Sequence, residues 1–538
     1  MSYLAWVADR LSRRRMASET ARHLRELSAG PVQASRREAE RLLRRLRAET
    51  GPKVCLGETS WGEPVIIPLL EFVKACGIMT GGMGSGKTMA ACLILEAIIA
   101  RLPELRSMAF GVIDPKGELF DRALFLIARR LEELEGDARE EFLARIVVED
   151  FSARRAMSSY NIMTRWPYTE ADFFVASRLE TLRDLLPAGE KLSLRGGVVL
   201  RNALTLLSEF GLPLTYLTRV LEDEPFRSRL LAKAKDPEMK HYFAHHFAHE
   251  GKQIIAALRA RMESLFASEG VRLALSGPTA PDFRRLQNEG KIVLINVAGP
   301  SITRGVRMLL QGLLLSDIRQ AILARPNDPR VTFLWEVDEA PNFFATRQQQ
   351  EDLTDICTMG RSFGSFFCFL CQNLSTAVPD ARILETLHTN TRWSLTLRGT
   401  PRDALYLRAA LPVTGRRPRP DPLPFRERTF YSAEEERALT LEGVAHLPDR
   451  TGYLWLKARS PEAVKITTRG LALPGGEEFR ETVESLREEP RLGGRLSRTA
   501  YENLIAERDR EWRDVREETG LADRLEKRYA EERDAWRA

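Results

Sequence analysis

An α/β fold, with a central and largely parallel sheet, an all-α insertion and helical terminal extensions, is predicted from three observations in this sequence. A glycine-rich loop, Gly81-Gly82-Met83-Gly84-Ser85-Gly86-Lys87-Thr88, stands where the apolar stretch ACGIMT gives way to a helical run. Short apolar segments alternate with helical ones from Lys53 to about residue 150 and resume beyond residue 285. Between roughly 165 and 280 the strand signal vanishes and only helical periodicity remains. Alternating strands and helices form parallel sheets, because a crossover between parallel strands needs the length of a helix.

The elements follow in order. Residues 1–50 read as a basic helical arm, with Ser35 placed to cap the run RREAERLLRRLRAE. Residues 51–160 form the first part of the sheet domain: VIIPLL, ACGIMT, a helix from Lys87 through Ile99, MAFGVID, a helix around FDRALFLIARRLEELE, and ARIVVED. Residues 161–285 form the all-α insertion, through FFVASRLETLRDLL, VVLRNALTLLSEF and IIAALRARMESLFAS. Residues 286–475 resume the sheet with KIVLINVAG, a long helix from Gly305 to Leu323, VTFLWEVDEA, SFFCFLCQ and TRWSLTLRG, and then a hairpin of GYLWLKA with AVKITTRG. Residues 476–538 are a charged helical tail whose Leu504, Trp512, Val515, Leu521, Leu525 and Tyr529 make a narrow stripe suited to an intersubunit or partner helix.

Composition narrows the classes. A chain of 538 residues with 43% hydrophobic and 29% charged residues can bury a sizeable core, which excludes wholesale disorder. No run reaches the roughly 18 to 20 apolar residues of a spanning helix, and the start MSYLAWVADRLSRRR reverses the order of a signal peptide. Six scattered cysteines lack the density of a secreted disulfide framework, so a soluble, cytoplasmic protein is expected. The formal net charge of +6 comes entirely from residues 1–50, which carry twelve Arg against six acidic residues. Such an arm suits a nucleic acid, peripheral contact with the inner face of a membrane, or simply a solvated helix face.

Gly81 to Thr88 satisfies the phosphate-loop pattern G-x-x-x-x-G-K-[ST]. Glycines let backbone N–H groups wrap phosphates, and the helix that begins there aims its positive end at them. Lys87 then reaches the β- and γ-phosphates, and the Thr88 hydroxyl ligates Mg²⁺. An acidic residue must end a neighbouring strand: in VTFLWEVDEA, Asp338 is placed for the Mg²⁺ shell and Glu339 to polarise the attacking water. Glu336 shares a face with Asp338, as a supporting carboxylate or at a subunit interface. Gln372, at the end of SFFCFLCQ, is placed to sense the γ-phosphate. Arg361, at the end of a helix, reads either as a surface residue or as an arginine entering a neighbour's site.

The order of Gly81–Thr88, GVIDPKGELF, KIVLINVAG, FLWEVDEAPNF and GRSFG with FLCQNLSTA resembles the type IV secretion coupling proteins of the HerA and FtsK superfamily. The acidic-Pro-Lys-Gly block Asp114-Pro115-Lys116-Gly117-Glu118 and the helical insertion strengthen that resemblance, which covers most of residues 55–400. It implies a RecA-like P-loop motor using ATP and Mg²⁺, with Lys87 and Thr88 at phosphates and metal, Asp338 and Glu339 as the Walker B pair, Gln372 as the sensor and Arg361 as the arginine acting in trans. It also implies a homo-hexameric ring that moves single- or double-stranded DNA, with a relaxase, a nuclease or a secretion channel as partner. The basic arm stands where membrane-bound relatives carry transmembrane helices, so this chain resembles a soluble variant of them. A nucleotide-gated scaffold is the alternative, and the full set of Glu339, Arg361 and Gln372 favours a motor.

Three constellations are weaker. His241, His245, His246 and His249 recur near helical spacing, without nearby Cys or acidic ligands other than Glu250, and read as a helix face ahead of a metal site. Cys368 and Cys371 read as buried strand cysteines. Arg416, Arg417 and Arg419 lie in a Pro-rich loop that either lines a DNA path or is solvated.

Overall fold

A computed structural model describes residues 36–102, 107–152, 155–184, 193–266, 269–299, 302–327, 329–344, 347–372, 374–378, 380–413, 419, 430–474, 476–489, 492 and 495–513. Ser35 and the rest of the arm before residue 36, Arg416, Arg417, and the stripe residues Val515, Leu521, Leu525 and Tyr529 lie outside the described residues. The strands are β1 (Lys53–Thr59), β2 (Pro64–Pro68), β3 (Gly77–Thr80), β4 (Met108–Asp114), β5 (Ile146–Asp150), β6 (Ala156–Met157), β7 (Ile292–Asn296), β8 (Thr332–Val337), β9 (Ser365–Cys371), β10 (Trp393–Leu397), β11 (Thr451–Leu456), β12 (Val464–Thr468) and β13 (Leu496–Ser497). The chain divides into two compact units, residues 1–71, 78–90 and 392–470 in the first and the remainder in the second.

In the second unit the strand order is β9-β8-β4-β7-β5, and all four pairings are parallel. These strands are almost wholly buried and read as apolar runs, as both-face-covered parallel strands must. The helix Glu118–Glu132 carries an apolar face that buries Leu119, Phe120, Ala123 and Leu124. Between residues 171 and 288 the described elements are helices, from Ala171–Asp184 to Phe283–Asn288. Ser193, Asp223, Asp236 and Asp282 cap four of them by accepting N–H bonds from the first turn.

The first unit orders β2-β1-β12-β11-β10-β3. Its outer five strands pair antiparallel, because turns such as Ser60–Glu63 and Lys457–Ala463 are too short for a crossover. The hairpin of β11 and β12 is the one expected from GYLWLKA and AVKITTRG; β1 had no counterpart in the sequence reading. The described end of the arm, residues 36–48, is a helix that buries Leu42, Leu43 and Leu46, so this stretch is docked while Arg36, Arg37, Arg41 and Arg44 face outward.

The described part of the tail, as far as residue 513, packs on its own chain. Its helix Gly476–Arg487 packs on the helix Glu118–Glu132, with Phe479 and Phe125 rings 5.3 Å apart and Arg487 paired with Asp121 and with Asp150, the latter at 3.2 Å. β13 pairs antiparallel with β6. In the helix Arg498–Arg513, Tyr501 donates to the Leu273 carbonyl at 2.9 Å, and Trp512 meets the rings of Phe210 and Phe226 edge-on at 5.7 and 6.2 Å. Leu504 and Trp512, the two stripe residues that are described, are therefore buried within their own chain. Among the described residues no helix is long and apolar enough to cross a membrane.

Since Trp512 closes an aromatic cluster, Trp512→Ala is expected to cost about 3–5 kcal/mol of unfolding free energy in urea denaturation. A loss below about 1 kcal/mol would show that the tail is not part of this core.

Candidate active site

The loop Gly81–Gly86 leaves β3 and turns into the helix Lys87–Ile99, whose bounds match the sequence expectation. Gly84 and Gly86 adopt φ of +69° and +99°, which other residues rarely accept. Two backbone contacts brace the loop from outside: the Gly82 N–H donates to the Arg398 carbonyl at 2.6 Å, and the Arg450 N–H donates to the Ser85 carbonyl at 2.9 Å. Lys87 is 6% exposed, and its ammonium donates to the carbonyls of Gly81 at 2.6 Å and Gly82 at 3.0 Å. The Ser85 hydroxyl is buried without a partner, Thr88 is half-buried, and Met83 stands 82% exposed at the tip. A loop of this kind, with its lysine folded onto it, can enclose an anion.

The second unit holds an acidic cluster at the carboxyl ends of β4 and β8. The pairing Ile113↔Val337 sets the ends of the two strands side by side, and the Asp338 N–H donates to the Ile113 carbonyl at 3.0 Å. Asp114, fully buried, accepts the N–H of Lys116 at 2.7 Å and of Phe120 at 3.0 Å, fixing the turn into the next helix. Burial first, then the charge of Asp114, pushes the Asp338 carboxyl up to about 7; a Glu339 backbone hydrogen bond and the Lys116 ammonium act against that rise. Glu336 is fully buried, with neither carboxylate oxygen hydrogen-bonded. Burial and the neighbouring Asp338 hold its carboxyl well above the usual range, so Glu336 is a neutral acid beneath Asp338. Its cross-strand neighbour is Cys368. Of the two readings for Glu336, the supporting carboxylate fits and the subunit interface does not.

Glu339 follows Asp338 with φ +46°. One of its oxygens accepts from the Gln372 amide at 2.7 Å and from the Lys116 ammonium. Asp338 and Glu339, after β8, and Gln372, after the neighbouring β9, are thus brought together. Arg361 is not part of this group: it sits exposed on the turn Gly360–Phe363 before β9, with no ion-pair partner among the described residues. Lys116 is the member that residue-by-residue reading missed. Its signal was the Asp-Pro-Lys-Gly-Glu block, noticed as a pattern but given no role.

The weaker constellations are resolved by position. His241, His245 and His246 lie exposed around the end of the helix Pro237–His245, with the first two rings 4.5 Å apart. Among the described residues no group of three or more His, Cys, Asp or Glu is arranged to hold a metal ion. Cys368 and Cys371 are buried in β9 as free thiols. Arg419 pairs with Glu435 at 2.5 Å.

A glycine-rich phosphate loop between strand and helix, parallel strands behind it in sequence and acidic residues at a strand end define a RecA-like P-loop fold with added helical elements. VirB4 of Thermoanaerobacter pseudethanolicus has this fold: the similarity covers 80% of this chain and 99% of that one at 14% identity, with a TM-score of 0.50. The bacterial conjugative coupling protein TrwB is also similar, over 81% of this chain and 92% of that one, at 16% identity and a TM-score of 0.49. TrwB in complex with ADP and Mg²⁺ gives 14% identity, a TM-score of 0.48, and coverage of 81% and 94%. No protein-family model matches the sequence, and no curated protein matches it.

The raised Asp338 carboxyl has a consequence for stability. A folded value near 7 against about 4 in the unfolded chain means that the folded state binds the proton more tightly. That contribution is fully present below about pH 4 and is lost as the pH rises through about 7. Asp338→Asn removes the ionising group, so its melting temperature is expected to gain on the wild type as pH increases from about 5 to 8.5. A difference that stays constant over this range would contradict the shift.

Proposed function

We propose that this chain is an ATP-driven DNA translocase, a ring-forming Mg²⁺-dependent ATPase of the kind that serves conjugation-like DNA transfer. The carrying observation is Glu339, held by Gln372 and Lys116 directly after the buried Asp338. A loop that only bound nucleotide would need no such carboxylate.

In this reading phosphates displace the Gly81 and Gly82 carbonyls from the Lys87 ammonium. Thr88 and Asp338 hold Mg²⁺, which supplies charge neutralisation on the phosphates when bound. A single carboxylate plus hydroxyl, water and phosphate oxygens suits Mg²⁺, which rarely takes an all-protein cage. As a metal ligand Asp338 would be ionised, and the raised carboxyl of Glu336 beneath it would spare the pair two adjacent buried charges. Glu339 accepts a proton from the attacking water once Lys116 and Gln372 release the shared oxygen, and Gln372 is then free to meet the γ-phosphate. Arg361, exposed and unpaired, is supplied to a neighbouring subunit's nucleotide. The basic arm is assigned to nucleic-acid or peripheral membrane contact, with a relaxase, nuclease or secretion channel as partner and the protein acting in the cytoplasm or at the inner face of the membrane.

Steady-state ATP turnover across protein concentration, with and without single- and double-stranded DNA and with Lys87→Ala as blank, tests this reading. Steep concentration dependence and DNA stimulation are expected. Slow turnover indifferent to DNA would select the nucleotide-gated scaffold. Glu339→Gln is expected to retain ATP binding while kcat falls about 10²- to 10⁴-fold. Arg361→Ala is expected to lose about 10³-fold in kcat, and mixing it with Lys87→Ala subunits should restore turnover above either alone. If the mixture stays inactive, the trans assignment of Arg361 is wrong.

A further inference from the structure

Two residues other than glycine adopt positive φ among the described residues, Glu339 and Arg450. The first is the candidate base. Arg450 has no place in any motif read from the sequence, yet it lies against the phosphate loop within the same unit. Its N–H donates to the Ser85 carbonyl at 2.9 Å, and its carbonyl accepts the Thr468 N–H at 2.8 Å and the Thr468 hydroxyl at 3.3 Å. These contacts involve backbone atoms of Arg450, so glycine would satisfy them all and would relieve the φ of +61° as well. What the position retains is therefore the side chain.

That side chain runs across two glycines. A Cβ on Gly86 would meet Arg450 Cγ at 2.9 Å, and a Cβ on Gly470 would meet Nη1 at 3.1 Å. Its head is exposed and makes no hydrogen bond or ion pair with the described residues. The adjacent carboxylate, Asp449, is engaged with Arg398 at 2.7 Å. A cation left unpaired beside Gly86, next to Lys87 and the positive end of the helix Lys87–Ile99, adds repulsion unless an anion arrives. Backbone N–H groups at this part of a phosphate loop face the α- and β-phosphates.

We infer that Arg450 is a further nucleotide ligand, a guanidinium contributed from the same subunit to the α- or β-phosphate of the triphosphate held by Gly81–Thr88. This rests on the nucleotide-binding half of the proposed function and adds a phosphate contact in cis, distinct from the arginine supplied in trans. The fixed backbone sets where the guanidinium starts, and the open glycine surface leaves it free to swing.

Calorimetric titration of the full chain with Mg²⁺ and a non-hydrolysable ATP analogue tests the assignment on wild type, Arg450→Gly, Arg450→Gln and, as blank, Lys87→Ala. Arg450→Gly is expected to melt no lower than the wild type and to bind the analogue about tenfold more weakly at 0.1 M salt, with Arg450→Gln showing the same loss. Single-stranded and double-stranded DNA affinity in the same buffer should not change. Unaltered analogue affinity in either variant overturns the inference, and does so alone when Lys87→Ala still loses binding. Weaker DNA binding with normal nucleotide affinity overturns it too and assigns the cation to a polynucleotide. Failure of the wild type to bind the analogue removes the proposed function and this inference together.

Discussion

Four carboxylates crowd the carboxyl ends of two adjacent parallel strands, and the surrounding structure is shaped by having to accommodate them. Asp114, Glu336, Asp338 and Glu339 are near neighbours because β4 and β8 run in the same direction and in register. Charges this close, and this poorly solvated, cannot all ionise without partners. Each is handled differently. Asp114 takes two backbone N–H groups, Glu336 keeps its proton, and Glu339 takes Lys116 and Gln372. Asp338 alone is left balanced near neutrality. A carboxyl in that condition can give up its proton in exchange for a cation, as the proposed metal-ligand role requires.

The phosphate loop has the opposite imbalance. Lys87 donates to two carbonyl oxygens, Ser85 buries a hydroxyl without a partner, and Arg450 has no ion-pair partner among the described residues. Neutral carbonyl acceptors are weaker partners for an ammonium than a phosphate oxygen. Binding of an anion at this loop would therefore stabilise the unit that carries it.

Local chemistry made some of this legible in the sequence. The glycine-rich loop fixed where a helix had to begin, so Lys87–Ile99 was readable to the residue, and strand ends placed Asp338, Glu339 and Gln372. Periodicity put Glu336 on the Asp338 face, but period alone cannot say how deep a face is buried, and depth is what makes Glu336 neutral. Lys116 meets Glu339 across 223 residues of chain, a separation at which only the pairing of β4 with β8 brings them together. The described part of the tail shows a related gap: Leu504 and Trp512 announced an apolar stripe, yet nothing in a stripe identifies its partner, and Phe210 and Phe226 meet Trp512 from elsewhere in the same chain. Arg450 left no signal because its position is imposed by the backbone of Ser85 and Thr468 rather than by any motif.

Strain at Glu339 and Arg450 follows a common logic. A left-handed conformation costs a non-glycine residue about 1–3 kcal/mol, and here it is held by backbone hydrogen bonds or by the tight exit from a strand, as with Asp338 bonded to Ile113. Main-chain restraint fixes the origin of a side chain without packing its far end. In the proposed roles Glu339 would exchange Lys116 and Gln372 for a water molecule and Arg450 would turn toward a phosphate, while neither Cα would have to move. Had the same groups been positioned by close side-chain packing, each exchange would have required the core to shift. Backbone strain thus sets the origin of both charged side chains, Glu339 after the parallel strand β8 and Arg450 before the antiparallel strand β11.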